Sequence, residues 1–272
     1  MMPVLPAAAQ ARWPAQVALP DGVRVVEFVS DVHLCPEMPR TAAALRHYLA
    51  HTRADVVCLL GDVFEAWVGD DAATALPFER DCVAALAALA QRSRLLLMCG
   101  NRDFLFGPAL LAATGATGLA DPCVLEAFGQ RVLLSHGDAL CIADAAYQQM
   151  RRVVRSEGWQ ADFLARPLAE RLATARALRA QSQAQHATQA PETYADADPA
   201  LAAQWLAQAQ ASVLVHGHTH RPGSAPLPSG PMRHVMSDWD ADAAAPRAEV
   251  LRWTADGFSR HPPADFGPTP AA

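Results

Sequence analysis

Five short, mainly apolar runs constrain the fold of this chain more than any other feature of its sequence. Each has three to five residues rich in valine and leucine, which is typical of strands buried on both faces. Longer stretches with helical spacing, Met38–Thr52 and Phe78–Gln91, follow the first two runs, so we predict an α/β layered sheet. The five runs are Val25–Val29, Val56–Leu60, Leu95–Cys99, Val132–Leu134 and Val213–Val215.

Side chains of the kind that bind metals follow every one of these runs. In open α/β sheets, ligands bind outside the carboxyl ends of the strands, so we expect these side chains to converge. An aspartate after a strand is usually a turn or capping residue, but the ordered combination favours a dinuclear metal site built across one sheet. The segments are Asp31-Val32-His33, Gly61-Asp62, Gly100-Asn101-Arg102-Asp103, Ser135-His136-Gly137-Asp138 and His216-Gly217-His218-Thr219-His220.

The donor types in these segments narrow the chemistry. Thiolates are absent, which disfavours a structural zinc site, and several imidazoles favour Mn²⁺, Fe²⁺, Co²⁺ or Zn²⁺ over Mg²⁺ or Ca²⁺. One carboxylate can bridge two metals about 3.5–4 Å apart, the geometry used for in-line displacement at phosphorus. His47 and His51 lie outside the five segments and receive no role.

Composition excludes several classes of protein. The 272 residues are 51% hydrophobic, enough for one large domain with an insertion. The formal charge of −6 argues against a general nucleic-acid binder. Six scattered cysteines without a Cys-x-x-Cys pair indicate reduced thiols in a cytosolic protein. We predict no signal peptide, and no apolar run approaches the roughly 18 residues of a membrane span.

The chain divides by composition into four parts. We expect residues 1–22 to be a loose extension, 23–261 the main domain, about 144–199 a helical insertion within it, and 262–272 a flexible tail. The insertion is polar and contains seven arginines but no lysine. Two hairpins are predicted around glycines, and a helix is expected at Pro199–Gln208. The hairpin strands are Val124–Glu126 with Arg131–Leu134 and Glu249–Trp253 with Phe258–Arg260.

Together the five segments resemble the calcineurin-like metallophosphoesterases, from about Arg24 to Pro222. The resemblance implies an α/β sandwich of two β-sheets flanked by helices, with a helical cap insertion and two metals at the sheet edge. His216 lies outside the family pattern. The resemblance implies one metal held by Asp31, His33, Asp62 and His220, and another held by Asp62, Asn101, His136 and His218, with Asp62 as the bridge.

One departure from the wider family points to a substrate. Most members have histidine after the Gly-Asn pair, whereas this chain has Arg102, whose planar donor fork suits clamping phosphate oxygens. With Gly61–Asp71, His136–Cys141 and His218–Pro222, the chain resembles the branch that hydrolyses UDP-2,3-diacylglucosamine in lipid A biosynthesis. That branch implies UMP and 2,3-diacylglucosamine 1-phosphate (lipid X) as products, Asp62 and Arg102 as catalytic residues, and two Mn²⁺ ions.

The same resemblance assigns the insertion to the lipid. It implies an apolar chamber for two acyl chains, and a cytoplasmic protein bound peripherally to the anionic face of the inner membrane. In the family's Ser-x-x-x-Asn-x-x-Lys pattern the serine is Ser182 here, whereas His186 replaces the asparagine and Gln189 replaces the lysine. Loss of the lysine charge at a phosphate costs about 1.5–3 kcal/mol of binding free energy. The expected substrate contacts are Asn101, Arg102, Asp144, Ser182, His186, Gln189 and His218, and the expected apolar residues are Val153, Val154, Trp159, Phe163, Leu164, Leu168 and Leu172.

Two alternatives remain at this point. The first is an enzyme of the same fold acting on another phosphoester, such as a nucleotide pyrophosphatase, a cyclic-nucleotide phosphodiesterase or a protein phosphatase. Arg102 and the insertion argue against it, whereas His186 and Gln189 keep it open. The second is a metal-free binding module, which the intact set of seven predicted ligands disfavours.

Overall fold

Two six-stranded sheets form the centre of the structure, a computed structural model that describes residues 13–187 and 195–262, without the side chains of 181–187. The first sheet contains, in spatial order, β12 (Gly257–His261), β11 (Val250–Thr254), β2 (Val26–Val29), β3 (Val56–Leu60), β4 (Arg94–Met98) and β5 (Thr117–Leu119). The second contains β1 (Ala15–Ala18), β6 (Cys123–Ala127), β7 (Gln130–Ser135), β8 (Val213–His216), β10 (Met232–Val235) and β9 (Gly223–Pro226).

One apolar core lies between the two sheets and a larger one lies between the first sheet and its helices, and alternation along the strands explains which residues enter each. In β3, Val56 and Cys58 face this sandwich core, whereas Val57 and Leu59 face the helices on the outer side. Successive side chains of a strand point to opposite faces, and both faces are covered here, so all of β3 is buried. The predicted two-sheet sandwich flanked by helices is confirmed.

Helices cover the outer faces of both sheets. The first sheet packs against α1 (Pro39–His51) and α3 (Pro77–Ala90), in the positions predicted, and the second against α8 (Pro199–Ala209). These three helices begin with proline, which suits the first turn because it lacks an amide hydrogen that would otherwise need a partner. The shorter helices are α2 (Ala72–Ala75), α4 (Pro108–Thr114) and a 3₁₀ turn at Asp138–Leu140.

Parallel pairing brings the five predicted segments to one end of the sandwich. Strands β2, β3 and β4 are parallel neighbours in the first sheet, and β7 and β8 are parallel neighbours in the second. The expectation of a site across one sheet is therefore wrong, because the five strands divide between two sheets whose carboxyl ends adjoin. The two predicted hairpins are confirmed as β6–β7 and β11–β12.

The N-terminal prediction needs a correction. Residues 15–18 form β1, which pairs in parallel with β6 and places Val17 against the sandwich core. This part of the expected loose extension is therefore an edge strand, because the open edge of β6 offers backbone hydrogen bonds. Residues 1–12 and 263–272 of the predicted extension and tail lie outside the described residues.

Three helices occupy the predicted insertion: α5 (Ala145–Val154), α6 (Glu157–Leu164) and α7 (Leu168–Ala187), here called the cap. Asp144 and Ser156 cap the first two, each accepting a backbone N–H three residues on. Several residues expected to line a chamber instead attach the cap to the core. Phe163 is buried in the apolar core between the first sheet and its helices, and Trp159, Leu168 and Leu172 pack against that core.

All six cysteines are free thiols, and five of them are buried, as expected for small apolar side chains. Among the described residues, none of the helices combines the length and the hydropathy needed to cross a bilayer.

Candidate metal centre

The loops after the five strands bring all the predicted metal ligands together. Ligand atoms of Asp31, His33 and His220 lie within 4.8 Å of one another, and so do those of Asp31, Asp62 and His136. Asn101 and His218 adjoin the second group through hydrogen-bonding contacts. Whether these residues bind metal stays a prediction, but the sequence placed them correctly at one end of the fold.

The donor set of the first group fits a cation. The Nε2 atoms of His33 and His220 face each other at 3.3 Å, and Nε2 of His220 lies 3.4 Å from Oδ1 of Asp31. Oδ1 of Asp31 is buried and has no hydrogen-bond partner. An unpaired buried carboxylate oxygen is costly, and a divalent ion among these three donors would satisfy it.

The second group fits a cation for a different reason. Nδ1 of His136 lies 2.9 Å from the carbonyl oxygen of Leu60 and must donate to it, because a carbonyl only accepts. The other ring nitrogen, Nε2, is then free for a second partner and lies 2.9 Å from Oδ1 of Asn101. The same amide oxygen lies 2.8 Å from Nδ1 of His218. Imidazole nitrogens and an amide oxygen are also ligands of divalent transition metals, so a bound ion would take the place of the ring protons that these contacts otherwise use.

Electrostatics also favour positive charge at this end of the sandwich. Burial works against protonation of His136, but the charges of Asp62 and Asp31 raise its pKa to about 9. Burial and the neighbouring His136 lower the pKa of His218 to about 3, which leaves that ring neutral. Burial alone would raise the pKa of Asp31, yet the nearby histidines hold it far below its usual range.

The predicted bridge differs from the carboxylate that the two groups share. Asp31 belongs to both groups, whereas Asp62 belongs to the second. Oδ1 of Asp62 lies 3.7 Å from Nε2 of His136 and accepts the backbone N–H of Arg102 at 2.7 Å. Bridging by Asp62 therefore stays a prediction, and Asp31 is the competing candidate.

Strained backbone marks these loops. Asp31, His33, Asp62, His218 and His220 have φ between 50° and 66°, a left-handed conformation that is costly for residues with a Cβ. Such strain persists only where surrounding contacts hold it, and it is concentrated at functional sites.

Asp103 is one of those contacts. Its buried carboxylate accepts the backbone N–H groups of Gly100 at 2.7 Å and Val63 at 2.7 Å, which ties the loops after β3 and β4 together. The loops touch so closely that a Cβ on Gly100 would lie 2.1 Å from Oδ1 of Asp62. The sequence segment contained Asp103, but nothing in the sequence showed what it binds.

Glu65 organises the positive groups beside the first group of ligands. Its carboxylate lies 3.1 Å from Nη1 of Arg102, 3.0 Å from Nε of Arg179 and 3.3 Å from Nδ1 of His33. Burial would raise the pKa of Glu65, but His33 and the two guanidinium groups lower it. Sequence reasoning did not single out Glu65, although it lies three residues after Asp62. Arg179 was noted only as one of the arginines of the insertion.

Asp238 and Trp239 are further neighbours that the sequence did not identify. Oδ2 of Asp238 lies 3.6 Å from Nδ1 of His220, on the side of the ring away from Asp31. The backbone N–H of Trp239 donates to the carbonyl oxygen of Asp31 at 2.9 Å. The segment after β10 therefore supports two of the predicted ligands.

His216, to which the sequence assigned no role, is the buried last residue of β8 in the second sheet. Its Nδ1 donates to the carbonyl of Gly217 at 2.8 Å, and its Nε2 accepts from Nε of Arg233 at 2.8 Å. Both ring nitrogens are thus used, and burial together with Arg233 lowers its pKa to about 4. We interpret His216 as a structural residue.

The remaining predicted substrate contacts are described only in part. Asp144 lies at the start of α5 and accepts the backbone N–H of Tyr147 at 2.9 Å. Ser182 and His186 lie on α7, but their side chains are outside the description, and Gln189 lies outside the described residues.

The fold and the clustered ligands define a metal-dependent phosphoesterase. The model of the protein family described as calcineurin-like phosphoesterase matches residues 26–222, and the chain belongs to that family. A second comparison identifies a narrower group. The chain is 46% identical over 259 residues to the UDP-2,3-diacylglucosamine hydrolase of Ralstonia nicotianae. The aligned region covers 91% of this chain and 94% of the relative.

Two further comparisons give the range of similarity. The protein of the same name from Bordetella pertussis is 44% identical over 223 residues, which is 80% of this chain and 86% of that relative. Among solved structures, Yfce, a phosphoesterase from E. coli, has a TM-score of 0.46 and 16% identity, over 89% of this chain and 95% of that one.

Proposed function

We propose that this protein hydrolyses the pyrophosphate bond of UDP-2,3-diacylglucosamine to UMP and lipid X, a step of lipid A biosynthesis. The observation that carries the proposal is the position of Arg102. Its guanidinium lies beside the clustered ligands, and Arg179 of the cap meets the same Glu65 carboxylate. Relatives 41–46% identical to this chain are named UDP-2,3-diacylglucosamine hydrolases, which supports the same substrate.

Two Mn²⁺ ions are the cofactors we propose. The mixture of carboxylate, amide oxygen and imidazole donors suits Mn²⁺, although other divalent transition metals share this preference. The proposed ligands are those of the sequence analysis, with Asp62 as the bridge. Divalent ions held by these residues would supply positive charge that activates water near neutral pH and neutralises phosphoryl oxygens.

Arginine in place of the family's usual histidine fits a pyrophosphate substrate. If water attacks the uridine-side phosphorus, the group that leaves is the phosphate of lipid X. A phosphate monoester has a second pKa near 6, so it can leave near neutral pH without a proton from the enzyme. Arg102 would instead stabilise the charge that builds on the phosphoryl oxygens, while Glu65 keeps its guanidinium in place.

Hydrolysis of UDP-2,3-diacylglucosamine in the presence of Mn²⁺ tests the proposal. We expect stoichiometric UMP and lipid X, with ¹⁸O from labelled water appearing in UMP. UDP-glucose, which has the same pyrophosphate without acyl chains, is the matched comparison substrate and should react far more slowly. Label in lipid X would contradict attack at the uridine-side phosphorus.

A second candidate is hydrolysis of another nucleotide or phosphoester by the same centre. It is favoured by Gln189 and His186, which replace the lysine and asparagine of the resembled pattern. Activity on simple nucleotides without activity on the diacylated substrate would establish this candidate and refute the first.

Peripheral binding to the cytoplasmic face of the inner membrane is the localisation we propose. Three arginines of the cap are exposed: Arg152, Arg166 and Arg176. The other four arginines of the insertion engage acidic or carbonyl partners within the protein, so fewer are available to lipid headgroups than the sequence implied. Among the described residues, the exposed large apolar side chains of the cap are Met150, Val153, Leu164 and Leu178, and Ile142 lies just before α5.

Flotation with anionic vesicles tests this localisation. We expect salt-sensitive association, and about fivefold weaker binding for Arg152→Ala, since each basic residue near such a surface contributes about 1 kcal/mol. Val153→Glu should weaken binding further. Met232→Glu is the matched control, because Met232 is an exposed apolar residue on β10, away from the cap. Association that is absent, or equally weak in the control, would refute the proposal.

A further inference from the structure

One face of α5 converges on a single buried carboxylate, that of Asp138. Oδ2 of Asp138 accepts the hydroxyl of Tyr147 at 2.6 Å and Nε of Arg151 at 2.7 Å, and Nη2 of Arg155 lies 3.6 Å away. These three residues recur at intervals of four, and Arg155 is the C-cap of α5, so they lie one above another on the same side of the helix and its end. The amide of Gln148 also donates to the backbone carbonyl of Asp138 at 2.7 Å.

Asp138 belongs to the loop that carries a predicted metal ligand. It lies two residues after His136 and is fully buried. A buried charge is stable only when it is paired, so Asp138 and the groups of α5 depend on each other. Movement of α5 away from the loop would leave this carboxylate without its main partners.

The same face of α5 reaches the other two loops of the second ligand group. Nη2 of Arg155 donates to the carbonyl oxygen of Gly100 at 2.9 Å, next to Asn101. The ring of Tyr147 lies 5.9 Å from that of His218, measured between centroids. Each of the three loops that carry Asn101, His136 and His218 is therefore in contact with α5 or with Arg155 at its C-terminal end.

Attachment of the cap does not by itself require this network. On α7, the buried Arg171 pairs with Asp71 at 2.9 Å, and the apolar residues of α6 and α7 pack on the core. The contacts at Asp138 add a link between the cap and the ligand loops that those attachments do not supply.

We propose that Asp138 is a positioning residue that binds α5 to the loops bearing Asn101, His136 and His218, so that the cap and the second metal group are held as one unit. The inference rests on the proposed metal site but not on the lipid substrate. Residues that orient metal ligands commonly change metal affinity by 10- to 100-fold when they are replaced.

Metal titration of the full chain with Asp138→Asn tests the inference. We expect one of two Mn²⁺ ions to bind about tenfold more weakly. The electron paramagnetic resonance signal of free Mn²⁺ measures the binding. Amide hydrogen exchange in α5 should rise in parallel. Asp71→Asn is the matched control. It weakens the ion pair with Arg171, which lies in the same cap as α5, and Mn²⁺ affinity should stay unchanged.

Arg151→Ala provides a second route to the same result, because it removes one charged partner of Asp138 without changing the ligand loop. It should reproduce the weaker binding, and it decides the matter if Asp138→Asn does not fold. Unchanged Mn²⁺ affinity in Arg151→Ala, or equal weakening in Asp71→Asn, would overturn the inference. Both readouts are independent of substrate, so failure to hydrolyse the lipid would refute the proposed function and leave this result standing.

Discussion

Replacing Asp62 with alanine is expected to lower kcat/KM by at least about a thousandfold, equivalent to roughly 4 kcal/mol of transition-state stabilisation. The carboxylate belongs to the second ligand group, and in our proposal it bridges both ions. Its loss also removes the acceptor of the Arg102 backbone N–H, which lies 2.7 Å from Oδ1. Steady-state kinetics and metal analysis of the purified variant measure the two effects.

Asp55→Ala is the matched control for this variant. Asp55 lies at the opposite end of β3, where its carboxylate accepts the backbone N–H groups of Arg24 and Val25 at 2.8 and 2.9 Å. We expect a loss of about 1 kcal/mol in the free energy of unfolding and full activity. Full activity in Asp62→Ala would contradict the dinuclear assignment.

Asp31→Ala distinguishes the two candidate bridges. Asp31 contributes to both ligand groups, so its removal should release two ions if it is the shared ligand. If Asp62 is the bridge, the larger loss of metal should occur in Asp62→Ala instead. Metal stoichiometry of the two variants, measured side by side, decides which carboxylate serves both ions.

Replacing Arg102 with alanine should depress kcat by about 100- to 1000-fold while leaving the metal content unchanged. The guanidinium contacts Glu65 rather than a predicted metal ligand, so its loss should not open the metal site. Arg102→Lys should recover part of the activity, because a lysine keeps the charge but not the planar donor fork.

Arg94→Ala controls for the removal of an arginine from the same strand region. Arg94 begins β4, at the end of the strand opposite Arg102, and we expect its replacement to leave kcat unchanged. If Arg102→Ala loses metal together with activity, Arg102 supports the metal site rather than acting on the phosphate.

Much of the fold was predictable because the signals are local. The buried strands, the two hairpins and the long flanking helices follow from the spacing of apolar residues and from glycine at turns. The positions of the predicted ligands were predictable for the same reason, since each follows a strand directly. Parallel pairing of those strands then brings residues from Asp31 to His220 to one end of the sandwich.

Contacts between distant segments were not predictable in this way. Nothing local shows that β7 and β8 leave the sheet of β2–β4, or that β1 completes the second sheet. Arginines of the insertion had the composition of a solvated surface, yet Arg151 and Arg179 point inward to Asp138 and Glu65. An isolated arginine carries no sequence signal for the carboxylate that it will meet.

The sequence by itself determined the chemistry available to this protein: carboxylate, amide and imidazole donors at five strand ends, and Arg102 where a histidine is usual in the family. The tertiary structure alone decided how those groups are supported. Glu65 gathers two arginines and a histidine, and Asp138 joins α5 to the ligand loops. The reason is physical: donor identity is a property of each residue, whereas burial and pairing of charges depend on which segments the fold brings together.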